Sequence, residues 1–114
     1  MEDIVKIKKG HILITEGDKS TSMYLLKSGL LKVYKDMPAT KGTYAIRTIE
    51  PGEIFGELSF IDGKERSASV KAVEDCEVYI LDYSLFKSML GKQPKWIRLV
   101  MKSMSSKIRD LSEL

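Results

Sequence analysis

The residues best suited to chemistry lie between Phe55 and Ala72, in the run Phe-Gly-Glu-Leu-Ser-Phe-Ile-Asp-Gly-Lys-Glu-Arg-Ser-Ala-Ser-Val-Lys-Ala. Gly56 lets another group come close to the backbone. The residues after it can form one helical turn whose first N–H groups lack carbonyl partners and point at an anion. Arg66 follows after a loop containing Asp62-Gly63. A guanidinium brought back over amide donors makes a two-sided clamp for a phosphate, with charge-assisted hydrogen bonds. Glu57 needs a separate task, because a carboxylate beside a phosphate repels it. Accepting a hydrogen bond from a sugar hydroxyl is the obvious one.

The elements that must position these residues are short strands. From Ile4 to Ile49 apolar stretches alternate with turn residues, the pattern of an all-β sandwich or barrel. Strands are expected at Ile4–Ile7, Ile12–Ile14, Met23–Leu26, Leu30–Lys35 and Tyr44–Ile49, with Glu16-Gly17-Asp18 and Ser28-Gly29 as turns and Met37–Gly42 as a loop. Glu50-Pro51-Gly52-Glu53 carries the proline and glycine of a type II turn and delivers the chain into Phe55. Ser67–Ala72 and Glu77–Leu81 read as two further strands around the acidic corner Glu74-Asp75. From Ser84 the period changes to that of a helix, with Leu85, Phe86, Met89 and Leu90 on one side and a break at Gly91 to Pro94. Pro94 opens a last helix on which Trp96, Leu99, Val100, Met104, Ile108 and Leu111 form a stripe, expected to be mostly core or a dimer seam.

Composition limits the alternatives. The chain has 114 residues, 43% apolar and 31% charged, which suits a globular domain with a single core. Residues 1–114 are expected to form that domain, with a β body over 1–83 and helices over 84–114. No apolar run approaches the roughly 18 residues of a membrane span, and the N-terminus lacks the apolar centre of a signal peptide, so the cytoplasm is the default location. A net charge of +3 permits an anionic ligand without the broad basic surface of a nucleic-acid binder. His11 is the sole histidine, too few imidazoles for a metalloenzyme of this architecture, and no nucleophile–base pair is discernible. An enzyme is therefore not expected, nor are catalytic residues, a metal or a resident cofactor. Cys76, the single cysteine, reads as a small core residue.

The motifs Phe55-Gly56-Glu57-Leu58-Ser59 and Arg66-Ser67-Ala68, set among the Glu16-Gly17 turn, Gly29, the Pro51-Gly52 turn, Leu81 and Phe86, resemble the cyclic nucleotide-binding domain family. That family includes catabolite-activator-type regulators, cyclic-nucleotide-dependent kinases and cyclic-nucleotide-gated channels. The resemblance covers nearly the whole chain and implies a double-stranded β-helix, or jelly roll, mainly β with C-terminal helices and a phosphate-binding cassette over residues 55–68.

It also implies roles. Arg66 would pair with the cyclic phosphate and Glu57 would accept the ribose 2'-hydroxyl. The backbone at Gly56, Leu58, Ser59 and Ala68 would complete the cradle. Phe60 would transmit tightening of the cassette to the C-terminal helices, a population shift. Val33, Arg47 and Ile49 are strand positions for the purine, with Ser67 after the cassette arginine bearing on base choice and Lys107, Leu111 and Ser112 as caps. Arg47 donors suit guanine O6 and N7, as Ile46-Arg47-Thr48 and Ser67 resemble cGMP-dependent kinases. cAMP is favoured over cGMP only as the commoner ligand of bacterial-type members.

Blander readings stand beside these. Arg66 alone reads as a surface arginine, Glu57 as an acid at a helix start, and Arg47 as a solvated strand residue. A ligand-free fold serving as a structural or dimerisation module is the rival function. The regulators of this family continue into a DNA-binding helix-turn-helix; this chain carries no such module. The remaining partner expectations are a homodimer through the last helix and an output domain outside this chain.

Overall fold

Strand ends in this protein coincide with glycines in the left-handed region. The computed structural model describes residues 3–81 and 83–112. At Gly29 (φ 98°) a Cβ would lie 2.5 Å from the carbonyl oxygen of Asp75 and 2.6 Å from Cys76 Sγ, so no other residue fits the turn as built. In the Glu50–Glu53 turn, the Glu53 N–H donates to the Glu50 carbonyl at 3.1 Å and Gly52 takes a φ of 93°, the type II geometry that its sequence predicts.

The elements in order are β1 (Asp3–Ile7), β2 (Ile12–Ile14), β3 (Met23–Ser28), β4 (Leu31–Met37), β5 (Gly42–Ile49), β6 (Ile54–Phe55), α1 (Glu57–Asp62), β7 (Ser69–Ala72), β8 (Cys76–Leu81), α2 (Tyr83–Gly91) and α3 (Lys95–Ser112). They form two four-stranded sheets, ordered β1-β8-β3-β6 and β2-β7-β4-β5, with every pairing antiparallel. This is the expected jelly roll followed by helices. One expectation needs correction: the loop predicted over Met37–Gly42 is shorter, because Met37 and Gly42 themselves pair and close a β4–β5 hairpin. Lys41 takes the left-handed conformation (φ 58°) in place of a glycine.

The core lies between the sheets. Leu26, Leu31, Ile49 and Val78 are at most 1% exposed, each such side chain contributing about 1.5–3 kcal/mol by leaving water. Pairing of Leu31 with Ile49 and of Val33 with Arg47 sets these residues on one face of the second sheet. Beyond Val33 the register shifts, with Tyr34 opposite Ala45, so Ile46 is the extra residue of a bulge. Bulges re-aim the side chains around them, and this one adjoins the cleft described below.

The helices depart from expectation more. Among the described residues α3 docks on the barrel side through α1. Ile97 and Met101 are half-buried and Ser105 is 3% exposed, one face at a spacing of four. The apolar stripe of Trp96, Leu99, Val100, Met104, Ile108 and Leu111 points elsewhere and is 47–70% exposed. It is not core of this chain. Amphipathic spacing identified an apolar face correctly, but the face turned inward is the one that carries Ile97, Met101 and the small Ser105.

Candidate functional site

The site is built outward from Arg66. Its backbone is fixed on both sides by the Glu16-Gly17-Asp18 turn, since the Arg66 N–H donates to the Asp18 carbonyl at 2.8 Å and the Gly17 N–H donates to the Arg66 carbonyl at 2.9 Å. Glu16 in turn is held by Ser69, whose Oγ accepts its N–H at 2.9 Å. The side chain runs inward and the residue is only 4% exposed. Its Nε donates to Ser20 Oγ at 3.2 Å, Nη1 to the Gly56 carbonyl at 3.0 Å and Nη2 to the Ser22 carbonyl at 2.6 Å.

All three acceptors are neutral. No carboxylate among the described residues forms an ion pair with this guanidinium. Burial pushes its proton affinity down, partly offset by the negative charges that Tyr24, Asp18 and Glu57 can carry, while Arg109 adds repulsion. Arginine nevertheless stays protonated in proteins. A buried cation without a counterion is costly. Two of its five N–H donors remain for an anion that enters the cleft.

Gly56 makes the close approach possible. It caps α1 in the left-handed conformation (φ 80°), and a Cβ there would come within 2.9 Å of the Ser22 carbonyl oxygen and 3.0 Å of Arg66 Nη1. The first helical bond is donated by the Phe60 N–H to the Gly56 carbonyl at 3.3 Å. The amides of Glu57, Leu58 and Ser59 therefore precede the helix's own bonding and have no carbonyl within it. The Glu57 carboxylate is half-buried and makes no hydrogen bond or ion pair with another described residue.

These groups face a cleft of about 140 Å³. It brings together the expected cassette residues Gly56, Glu57, Leu58, Ser59, Arg66, Ser67 and Ala68 and the expected strand residues Val33, Arg47 and Ile49 from β4 and β5. Ile14, Phe55 and Val70 complete the apolar floor, and sequence reasoning had not named them as lining. Their alternation with outward-facing neighbours is the signal that was available. Such a cleft offers an anion a guanidinium and helix amides, a hydroxyl a carboxylate, and a flat ring an apolar shelf. It is smaller than the roughly 300–1,000 Å³ of enclosed ligand sites, so a nucleotide-sized molecule would sit partly outside it on the β4–β5 surface.

Arg47 ends that shelf, but its guanidinium is engaged. Nη1 donates to Glu53 Oε2 at 3.0 Å, with both side chains substantially exposed. The expected caps are not at this cleft. No residue of α3 lines it, Leu111 is 70% exposed, Lys107 is exposed, and the side chain of Ser112 lies outside the described residues. Helix α3 runs along α1 instead.

Phe60 is where expected. It is 1% exposed, with its ring edge-on to Tyr83 at 5.1 Å and to Phe86 at 4.8 Å between centroids, joining α1 to α2. Sequence reasoning missed Arg109. Its Nε and Nη2 donate to the two carboxylate oxygens of Asp62, and the pair is only 12% and 11% exposed. Burial alone would raise the Asp62 carboxyl. The hydrogen bond from Arg109, one from the Lys64 N–H, and the charges of Arg109 and Lys64 outweigh that and hold it below the ordinary 3.8. No cluster of metal-ligating side chains occurs among the described residues, and no described helix is long and apolar enough to cross a membrane.

Comparison with known proteins agrees with this geometry. Residues 4–93 match the family model described as a cyclic nucleotide-binding domain. A cAMP-dependent protein kinase regulatory subunit from Aspergillus niger is 36% identical over 89 residues, covering 78% of this chain and 21% of that protein. The Cyclic AMP receptor protein of Thermus thermophilus is 33% identical over 87 residues, 75% of this chain and 39% of that one. Among solved structures, the EAL enzyme Bd1971 superposes with a TM-score of 0.87 in its cAMP-bound form and 0.83 in its cGMP-bound form. Identity is 29% in both, and the match covers 96% and 97% of this chain but 29% of that one. The chain thus spans about a fifth of the length of the kinase subunit it matches. With a jelly roll, a cassette arginine lacking a counterion and a family model matched across its barrel, the chain belongs to the cyclic nucleotide-binding domain family.

Proposed function

We propose that this chain is a regulatory module that binds a cyclic nucleotide, cAMP in preference to cGMP, and passes the event to its C-terminal helices. The observation that carries the reading is the buried Arg66 guanidinium, which has neutral acceptors only and opens onto a cleft shared with Glu57. A cyclic phosphate supplies the counterion, and the ribose 2'-hydroxyl donates to Glu57. The purine lies on Val33 and Ile49. The preference for cAMP is supported by the Arg47 Nη1 bond to Glu53, which draws one edge of the guanidinium away from a guanine O6 and N7. The named relatives point the same way, although Bd1971 has been solved with either nucleotide.

The relay begins at Phe60, because a shift of α1 toward the phosphate moves a ring packed between Tyr83 and Phe86. The module works without catalysis, metal or resident cofactor, in the cytoplasm, and its output lies in another domain or partner. Paired calorimetric titrations with cAMP and cGMP test the reading: tighter binding of cAMP is expected, and no heat with either at high micromolar ligand would sink it.

The exposed α3 stripe favours a second reading, a homodimer through α3. Trp96, Leu99 and Leu111 are 63%, 66% and 70% exposed, and apolar residues in a row at helical spacing are what a helix–helix seam requires. Sedimentation would return a dimer. A dimer whose melting temperature ignored both nucleotides would favour a ligand-free module, since only something that binds the folded state raises its stability.

A further inference from the structure

Helical periodicity assigns Arg109 to the polar, solvated side of α3, yet its side chain is only 12% exposed. One guanidinium joins three points of the cassette. It holds both carboxylate oxygens of Asp62, its Nη1 donates to the Glu65 carbonyl at 3.3 Å, and Nη2 lies 3.4 Å from Ser59 Oγ. Ser59 belongs to the helical turn whose amides face the cleft, Asp62 ends that turn, and Glu65 immediately precedes Arg66. Arg109 therefore spans from the segment that supplies amide donors to the loop that supplies the buried cation.

Among the described residues the rest of the buried face of α3 is modest. Its inward face offers the half-buried Ile97 and Met101 and the small Ser105, while its large apolar residues face outward. The Arg109 charge also lies close enough to Arg66 to disfavour that second cation, a repulsion that an anion between cassette and barrel relieves. Geometry and charge act in the same direction.

We propose that Arg109 is a positioning residue for the ligand phosphate. Docked on Asp62, it sets α1 against the loop that carries Arg66. Nucleotide binding and α3 docking then favour each other. This deepens the ligand reading above and rests on it. Coupling between sites is reciprocal, so whatever α3 docking adds to nucleotide affinity, the nucleotide must add to α3 docking.

The test uses the full chain, with cAMP affinity measured by calorimetry and hydrogen exchange followed over residues 95–112 with and without cAMP. In the wild type, cAMP slows exchange across α3. Arg109→Ala is expected to weaken cAMP binding roughly 5- to 150-fold, the span of ordinary inter-site coupling, and to abolish the cAMP-dependent protection of α3. Asp62→Asn shifts both readings in the same direction. Arg109→Lys keeps the charge but loses the two-pronged bond, and its affinity falls between wild type and Arg109→Ala. Circular dichroism checks folding, and should Arg109→Ala fail to fold, Arg109→Lys carries the comparison. A merely structural role would lower stability while leaving the cAMP-dependent difference in α3 exchange intact. A wild type that binds cAMP, with folded Arg109 variants that bind it equally well, overturns this proposal alone. A wild type that takes up neither cAMP nor cGMP overturns the ligand reading and this proposal with it.

Discussion

Arg66 and Arg47 line the same cleft, yet their guanidinium groups live in different surroundings. Arg66 is 4% exposed, and its donors are fixed on Ser20, Gly56 and Ser22. Arg47 has a side chain 50% exposed and ends on Glu53, whose side chain is 40% exposed. The first is held by two backbone carbonyls and a serine hydroxyl, and the second by one exposed ion pair of the kind worth about 0.2–1 kcal/mol. On the reading proposed above, the Arg66 end of the cleft would serve affinity, and the Arg47 end, resting on one exposed ion pair, would be the easier of the two to alter.

The comparison can be broken at several places. Arg66→Ala should give the largest effect, weakening cAMP binding by about 2–5 kcal/mol because it removes the desolvated partner of the phosphate. Unchanged affinity by calorimetry would move the phosphate elsewhere. Gly56→Ala should follow, with a loss of about 1–3 kcal/mol in stability by denaturant unfolding, since the new Cβ meets both strain at φ 80° and the Ser22 carbonyl. A variant as stable as wild type would show that the cassette is less constrained than its contacts imply.

An acid-limb effect comes next. Because the folded Asp62 carboxyl is held below its ordinary 3.8, its contribution is fully present above that value and is lost as pH falls through the lower folded one. Asp62→Asn should therefore narrow its stability deficit against wild type as pH falls below about 4; a deficit independent of pH contradicts the pairing. Arg47→Ala should do least, changing stability by at most about 1 kcal/mol and leaving cAMP affinity nearly intact. A selective loss of cGMP affinity in the same variant would reverse the base preference proposed for the chain.

The barrel and the cassette were legible in the sequence because their determinants are local. Turn glycines and period-two strands specify where the chain reverses, and Gly56, Glu57 and Arg66 announce themselves by type and spacing. The β4–β5 hairpin was harder, because Asp36 and Gly42 are poor strand formers that the register nonetheless pairs with Thr43 and Met37. Helix α3 was only half legible. Periodicity reveals that one face is apolar but not what covers it, and the face that is buried carries Ile97, Met101, Ser105 and Arg109 while six large apolar residues stay exposed. Arg109 was illegible for the same reason: its partner Asp62 is 47 residues away, and a basic residue on a helix's polar side looks solvated until a neighbour is known.

Gly29 and Cys76 have a practical consequence beyond the turn they form. The thiol is 3% exposed, lies against the space where a Cβ of Gly29 would stand, and has its acidity suppressed by burial. A reagent that requires an exposed thiolate reaches it faster when β8 opens from its neighbours. As the single cysteine in the chain, it makes alkylation a report on opening around β8. Nucleotide binding can thereby be read as a slower labelling rate at a sulfur that lines no part of the ligand's cleft.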